Sequence, residues 1–152
     1  MNTLTSDIKI TKTQATKIHE VDFDDLHFGK TFSDHMLVCD YKDGKWQSPE
    51  IVPYQPIVLD PSAKIFHYGQ SVFEGMKAYK DVNDAVWLFR PLENFKRLNL
   101  SSKRLAIPEL PEDIFMDGLK ALLKVDSDWI PKKEGSSLYI RPFIFASGNG
   151  FH

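Results

Sequence analysis

The sequence predicts an α+β domain, an antiparallel sheet with two flanking helices. Three observations point there. Short β-type runs broken by Gly, Pro and Asp turns fill residues 31–89. Two amphipathic segments follow, one between Pro91 and Pro108 and one opening at Pro111. A last β-type run, Leu138 to Ala146, closes the pattern. Strands, then helices, then a strand make an α+β order. With 152 residues and 42% hydrophobic side chains, the chain has enough apolar surface for one core.

Residues 1–27 read as an N-terminal extension, polar with scattered apolar positions, and residues 28–152 as one small domain. In the extension, Ile8 and Ile10 alternate with Lys9 and Thr11, the period of a short edge strand. Met36-Leu37-Val38-Cys39-Asp40-Tyr41 then runs into Asp43-Gly44, followed by Lys45-Trp46. Asp-Gly between such runs predicts a hairpin, because a type I′ turn needs two residues at positive φ. Ile57-Val58-Leu59 and Ile65-Phe66-His67 continue the β-like pattern, interrupted by Pro53, Pro56 and Pro61. Gly69 and Gly75 bracket a tight corner, turn or short helix, with Glu74 partly buried and hydrogen-bonded. Met76-Lys77-Ala78-Tyr79 is expected to pair with Ala85-Val86-Trp87-Leu88-Phe89 across Asp81–Asp84.

Pro91 suits a first helical position, where its missing N–H costs nothing. Leu92, Phe95, Leu98, Ser102 and Leu105 give that helix its stripe. In the second helix Glu112 and Asp113 favour the positive N-terminal end. Its buried face is Ile114, Phe115, Leu119, Leu122 and Leu123. The closing Ser147-Gly148-Asn149-Gly150 is a turn signal, which leads to the expectation that the chain is cut in mid-course.

Composition excludes several function classes. A net charge of −2 argues against nucleic-acid binding by bulk positive charge. One cysteine, Cys39, leaves no intramolecular disulfide and suits a reducing compartment. No apolar run approaches the roughly 18 residues of a membrane span and no secretory signal is visible, so the expected location is the cytoplasm. His19, His27 and His35 match no metal-ligand spacing, and no metal site is expected. No dinucleotide, phosphate-loop or nucleophile-elbow motif is present.

Only four of the basic residues are arginines, Arg90, Arg97, Arg104 and Arg141. If the last run is one strand, Tyr139, Arg141, Phe143 and Phe145 share a face. Arg141 there either forks a carboxylate beside the Tyr139 phenol or braces the strand through a structural ion pair. Arg97 borders the apolar stripe of its helix, where it either grips a phosphate across a cleft or snorkels in solvent. Tyr68 either offers a phenol to a ligand or packs as a core tyrosine.

Four blocks add a resemblance. They are Phe28-Gly29-Lys30-Thr31-Phe32-Ser33-Asp34-His35-Met36, His67-Tyr68-Gly69-Gln70-Ser71-Val72-Phe73-Glu74-Gly75-Met76-Lys77-Ala78-Tyr79, Leu88-Phe89-Arg90-Pro91-Leu92-Glu93-Asn94-Phe95-Lys96-Arg97 and Ser137-Leu138-Tyr139-Ile140-Arg141-Pro142. Together, and in this order, they resemble the branched-chain amino acid aminotransferases, fold-type IV pyridoxal phosphate enzymes. The Phe-Glu-Gly block is shared more widely among fold-type IV enzymes, while the combination is more specific.

The resemblance implies the small N-terminal domain of such an enzyme. Pyridoxal 5′-phosphate would lie between it and a second domain that bears the Schiff-base lysine. Arg97 matches the cofactor-phosphate contact. Tyr68, Tyr139 and Arg141 match the substrate pocket, and Phe28 an aromatic of its wall. The implied reaction moves the amino group of Leu, Ile or Val to 2-oxoglutarate, with glutamate and 2-oxo acids as partners and a homodimer as the assembly. None of the fifteen lysines falls in the motif of the Schiff-base lysine, so the 152 residues alone are expected to be inactive and not to retain the cofactor. The alternatives are another fold-type IV enzyme, a D-amino-acid aminotransferase or aminodeoxychorismate lyase, or a non-catalytic binding or dimerisation domain.

Overall fold

A computed structural model describes residues 8–150; the first seven residues and the last two lie outside the described residues. Among the described residues the fold is mixed α and β with three α-helices and ten short strands, and these strands make four small sheets instead of one. The strands run two to five residues because prolines and turns keep interrupting them.

In the first sheet, β1 (Lys9–Ile10) pairs in parallel with β5 (Glu50–Pro53), which pairs antiparallel with β2 (His35–Val38). The short N-terminal edge strand is therefore present, and its parallel pairing departs from the all-antiparallel expectation. Residues beyond it are fastened to the body. Asp34 accepts hydrogen bonds from Thr16 Oγ1 (2.6 Å), the Lys17 N–H (3.1 Å) and Trp129 Nε1 (3.1 Å). Thr13 donates its N–H to His35 Nε2 at 2.9 Å, and His35 Nδ1 meets Asp126 Oδ1 at 2.6 Å.

The Asp-Gly hairpin forms as expected between β3 (Tyr41–Lys42) and β4 (Lys45–Trp46), with φ of 53° at Asp43 and 75° at Gly44. Trp46 then donates its indole N–H to the Glu109 carbonyl at 2.8 Å, tying the hairpin to the loop between the two long helices. Cys39, just before this hairpin, is half-buried and donates to the Gln47 carbonyl. Burial, with the Asp40 charge beside it, pushes its thiol up from 9.0 to about 11. The thiolate is the nucleophile. Cys39 should therefore react with iodoacetamide at pH 8 roughly a hundredfold more slowly than in the unfolded chain. Equal rates in native and unfolded protein would contradict this.

Two expected strands are absent. Residues 57–59 are irregular, since Pro53, Pro56 and Pro61 deny the segment a continuous ladder. Residues 65–67 lie in a short helix, α1 (Lys64–Tyr68), which Gly69 ends in the left-handed region at φ 61°. The corner between Gly69 and Gly75 is likewise neither turn nor helix; it holds strand β6 (Ser71–Phe73).

The expected pairing of β7 (Met76–Lys80) with β8 (Val86–Leu88) is observed, and β9 (Leu138–Ile140) adds to the other edge of β7. Strand β10 (Phe143–Phe145) pairs with β6. Helices α2 (Pro91–Arg104) and α3 (Glu112–Val125) start at or next to the expected prolines. The buried positions of α2 are Asn94, Leu98 and Ser102, four apart, whereas Leu92 and Leu105 are exposed. The helix is thus rotated from the expected stripe and turns a polar residue, Asn94, into the interior. Helix α3 buries Ile114, Phe115, Leu119 and Leu123 as expected, with Leu122 only partly covered. Gly118 lets it lie close on β2: a Cβ there would sit 2.6 Å from Leu37 Cδ2. Val72, Met76, Leu98, Phe115, Leu119 and Leu123 lie in the core between the helices and the sheet. Among the described residues no helix is long and apolar enough to cross a membrane.

Candidate functional site

The site grows from a joint in one ladder. Phe73 faces Phe143 and Met76 faces Ile140, so the register of β6 with β10 continues unslipped into that of β7 with β9. Between them, Glu74-Gly75 lies beside Arg141-Pro142. Pro142 has no N–H to give the ladder, but its carbonyl accepts the Glu74 N–H at 2.9 Å. The expected single strand Leu138 to Ala146 is thus split at Arg141-Pro142 while keeping its register. From Val72 to Tyr79 burial alternates without a break: Val72, Glu74, Met76 and Ala78 face the helices, and Phe73, Gly75, Lys77 and Tyr79 face the open side.

On the helix side, Glu74 is held by Arg97. Arg97 Nε donates to Oε1 at 2.8 Å and Nη2 to Oε2 at 2.7 Å, a bidentate fork. Asn94, one turn earlier on α2, donates its amide to Oε2 at 2.8 Å and to the Gly75 carbonyl at 3.1 Å. The Glu74 side chain is 10% exposed and that of Arg97 62% exposed. The pair therefore straddles the surface, and the Arg97 Nη1 edge is left uncommitted among the described residues.

Hydrogen bonding from Arg97 holds the Glu74 carboxyl below its usual 4.5, against the opposing pull of burial. A depressed carboxyl pKa adds stability that is present above the unfolded value and lost as pH falls through the folded one. The Glu74 carboxyl ¹³C signal should thus titrate below pH 4.5, with the Arg97 Nε–H signal moving in the same acid window. A midpoint at or above that usual value would mean that the fork is not made.

On the open side stands an aromatic cradle. The Arg141 guanidinium lies over the Phe73 ring at 4.4 Å and the Tyr139 ring at 5.3 Å. Its Nη2 and Nε donate to Tyr139 Oη at 2.9 and 3.2 Å. Phe28, 77% exposed, meets the Tyr139 ring edge-on at 4.9 Å. Gly75 is what lets Tyr139 lie this close: a Cβ at residue 75 would collide with its hydroxyl oxygen. Among the described residues Arg141 has no acidic partner, so the structural ion pair weighed from the sequence is not there. Tyr68 ends α1, 59% exposed, with its ring 6.5 Å from that of His67.

The structure therefore brings Phe28, Tyr139 and Arg141 into one cluster and places Arg97 in another. The two share the backbone of Phe73-Glu74-Gly75 and make no direct hydrogen bond or ring contact among the described residues. Sequence reading missed Phe73, Gly75 and Asn94. The strand alternation through Phe73 and Gly75 was the available signal for the first two. Asn94 has a fainter one, a polar residue four positions from Leu98 and eight from Ser102.

Comparison with known proteins identifies the class. A solved Escherichia coli branched-chain amino acid aminotransferase superposes with a TM-score of 0.55 at 23% identity, over 78% of this chain and 35% of that one. A T.th. branched-chain amino acid aminotransferase, solved with N-(5′-phosphopyridoxyl)-L-glutamate, superposes with a TM-score of 0.50 at 31% identity, over 66% of this chain and 32% of that one. The architecture is thus that of part of a fold-type IV aminotransferase. In sequence the chain is 53% identical over 134 residues to branched-chain-amino-acid aminotransferase 2 of Bacillus subtilis (strain 168), covering 88% of this chain and 37% of the relative. It is 49% identical over 125 residues to the branched-chain-amino-acid aminotransferase of Mycolicibacterium smegmatis, covering 81% and 34%. The chain is a homologue of the N-terminal region of branched-chain aminotransferases, and it spans little more than a third of the length of these relatives. No protein-family model matches it.

Proposed function

We propose that this chain is the specificity-bearing N-terminal part of a branched-chain aminotransferase, which moves the amino group of Leu, Ile or Val to 2-oxoglutarate with pyridoxal 5′-phosphate. The observation that carries the reading is Arg141: a guanidinium set on an aromatic floor, on the open face, with no acidic partner among the described residues. A cation without a counterion is suited to an incoming carboxylate.

The residues fit the cofactor's phosphate at one point. Arg97 spends Nε and Nη2 on Glu74, which fixes the plane of the guanidinium and leaves Nη1 for an anion. When bound, the cofactor supplies the electron sink that loosens the bonds to the amino acid's α-carbon. This chain's residues bind and orient. Phe28, Phe73 and the Tyr139 ring are the apolar wall for a branched side chain, and Arg141 with the Tyr139 phenol is its polar edge; under this proposal the Tyr68 phenol joins that edge in the complete protein. The wall also keeps water from the reacting centre. A cytoplasmic homodimer is part of the same proposal. Phe66, Val58, Phe89 and Leu100 are exposed apolar residues that a partner surface would cover.

The test compares two proteins. One carries this sequence at its N-terminus and extends to the relatives' full length; it is expected to turn over leucine with 2-oxoglutarate. The other is the 152-residue chain alone, which is expected to show no steady-state turnover. Activity on D-alanine instead of leucine in the longer protein moves the assignment to the D-amino-acid enzymes. Turnover by the shorter chain alone removes the need for a lysine outside it.

A further inference from the structure

We propose that Asn94 is the positioning residue that sets both anion-facing arginines, by clamping the ladder joint from the helix side. This rests on the reading of Arg97 as an anion contact.

An amide NH2 has two hydrogens. In Asn94 each is committed to a different neighbour at the joint, one to Glu74 Oε2 (2.8 Å) and one to the Gly75 carbonyl (3.1 Å). From Glu74 the contact passes to Arg97, whose Nη2 donates to the same Oε2. From Gly75 it passes to the open face. The Tyr139 hydroxyl is seated against the Gly75 backbone, so closely that no Cβ fits, and that hydroxyl holds Arg141 by two donors. Turning the Gly75 peptide moves the seat of Tyr139 and with it the Arg141 fork. One buried side chain thus begins both arms.

The joint needs such a clamp. Pro142 offers no N–H, so on this stretch the ladder is held, among the described residues, by one bond from the Glu74 N–H to the Pro142 carbonyl. A purely structural Asn94 would only pin α2 to the ladder. A positioning Asn94 also fixes where two guanidinium groups stand, and that difference is measurable.

The experiment uses the ¹⁵N-labelled 152-residue chain, whose four arginines give four Nε–H signals, with inorganic phosphate as the probe. In the wild type, phosphate should move the Arg97 signal and leave that of Arg104 in place. In Asn94→Ala, the Arg97 and Arg141 Nε–H signals should both shift before any phosphate is added, and Arg97 Nε–H exchange should speed up. The phosphate Kd at Arg97 should weaken by about three- to tenfold, the worth of one hydrogen bond in the network. Asn94→His keeps a single ring N–H donor at similar reach and should restore part of the Arg97 effect while leaving the Gly75 arm and Arg141 perturbed; it also serves if the alanine variant does not fold.

A lowered melting temperature with both arginine signals and the phosphate Kd unchanged overturns the positioning role. A response at Arg97 but none at Arg141 overturns the shared clamp. A wild-type chain in which phosphate moves no Arg97 signal, or moves all four alike, overturns the anion reading of Arg97 and this role with it.

Discussion

Replacing Asp126 with alanine is expected to lower stability by about 2–5 kcal/mol, the cost of leaving two buried donors without their acceptor. Asp126 follows the last turn of α3 and is almost fully enclosed. Its two carboxylate oxygens take two donors from one residue 91 positions away: His35 Nδ1 at 2.6 Å and the His35 backbone N–H at 3.0 Å. Because His35 Nε2 accepts the Thr13 N–H, the ring proton sits on Nδ1 and points at Asp126. The chain Thr13–His35–Asp126 therefore joins the N-terminal segment, β2 and the end of α3. Without the carboxylate, two buried donors lose their partner at once. Asp24, whose exposed carboxylate meets the exposed Lys133 Nζ, is the comparison, and Asp24→Ala should change stability far less. Chemical denaturation of both variants checks this. Equal small losses would mean that His35 and Asp126 are not partnered as described.

How much of this was legible in the sequence depends on which force decides each element. The Asp43-Gly44 hairpin, the two long helices and the pairing of β7 with β8 were readable, because local turn chemistry and periodicity decide them. The 65–67 segment was misread as β-like. Ile65-Phe66-His67 carries strand-forming residues, but Gly69 at positive φ and the turn after Asp60 fold it into one helical turn, and tertiary placement overrides the propensity. The rotation of α2 was also hidden. Hydrophobic counting favours Leu92 and Leu105 for the interior, yet the helix buries Asn94, because the Glu74 carboxylate beneath it needs a donor. The polar contact outweighs the apolar stripe, and single-sequence pattern reading has no access to a partner 20 residues away. Of the candidate site residues, Tyr139 and Arg141 were placed on one face by strand parity, and the parity survives the break at Pro142 because the register does. The link from Arg97 to Glu74 joins a helix to a strand and is set only by folding.

The second large effect is expected at Arg141. In a protein of the relatives' full length carrying this sequence, Arg141→Gln should reduce kcat/KM for glutamate by about 1–3 kcal/mol in transition-state binding, and that for leucine by less. Leucine brings one carboxylate and an apolar side chain. Glutamate brings a second carboxylate, which needs a cationic partner once water is excluded. Gln keeps N–H donors but gives up the charge and the planar fork. The structure sharpens the control. Arg141 has no acidic partner among the described residues; what it loses in the variant is its place over Phe73 and its bonds to Tyr139 Oη. These are contacts of an exposed side chain, so the melting temperature should change little. If Arg141 only braced the strand, the two substrates would lose kcat/KM by the same factor and the melting temperature would fall with them. A larger loss for glutamate at nearly constant stability assigns the guanidinium to the second carboxylate, and equal losses take Arg141 out of the pocket.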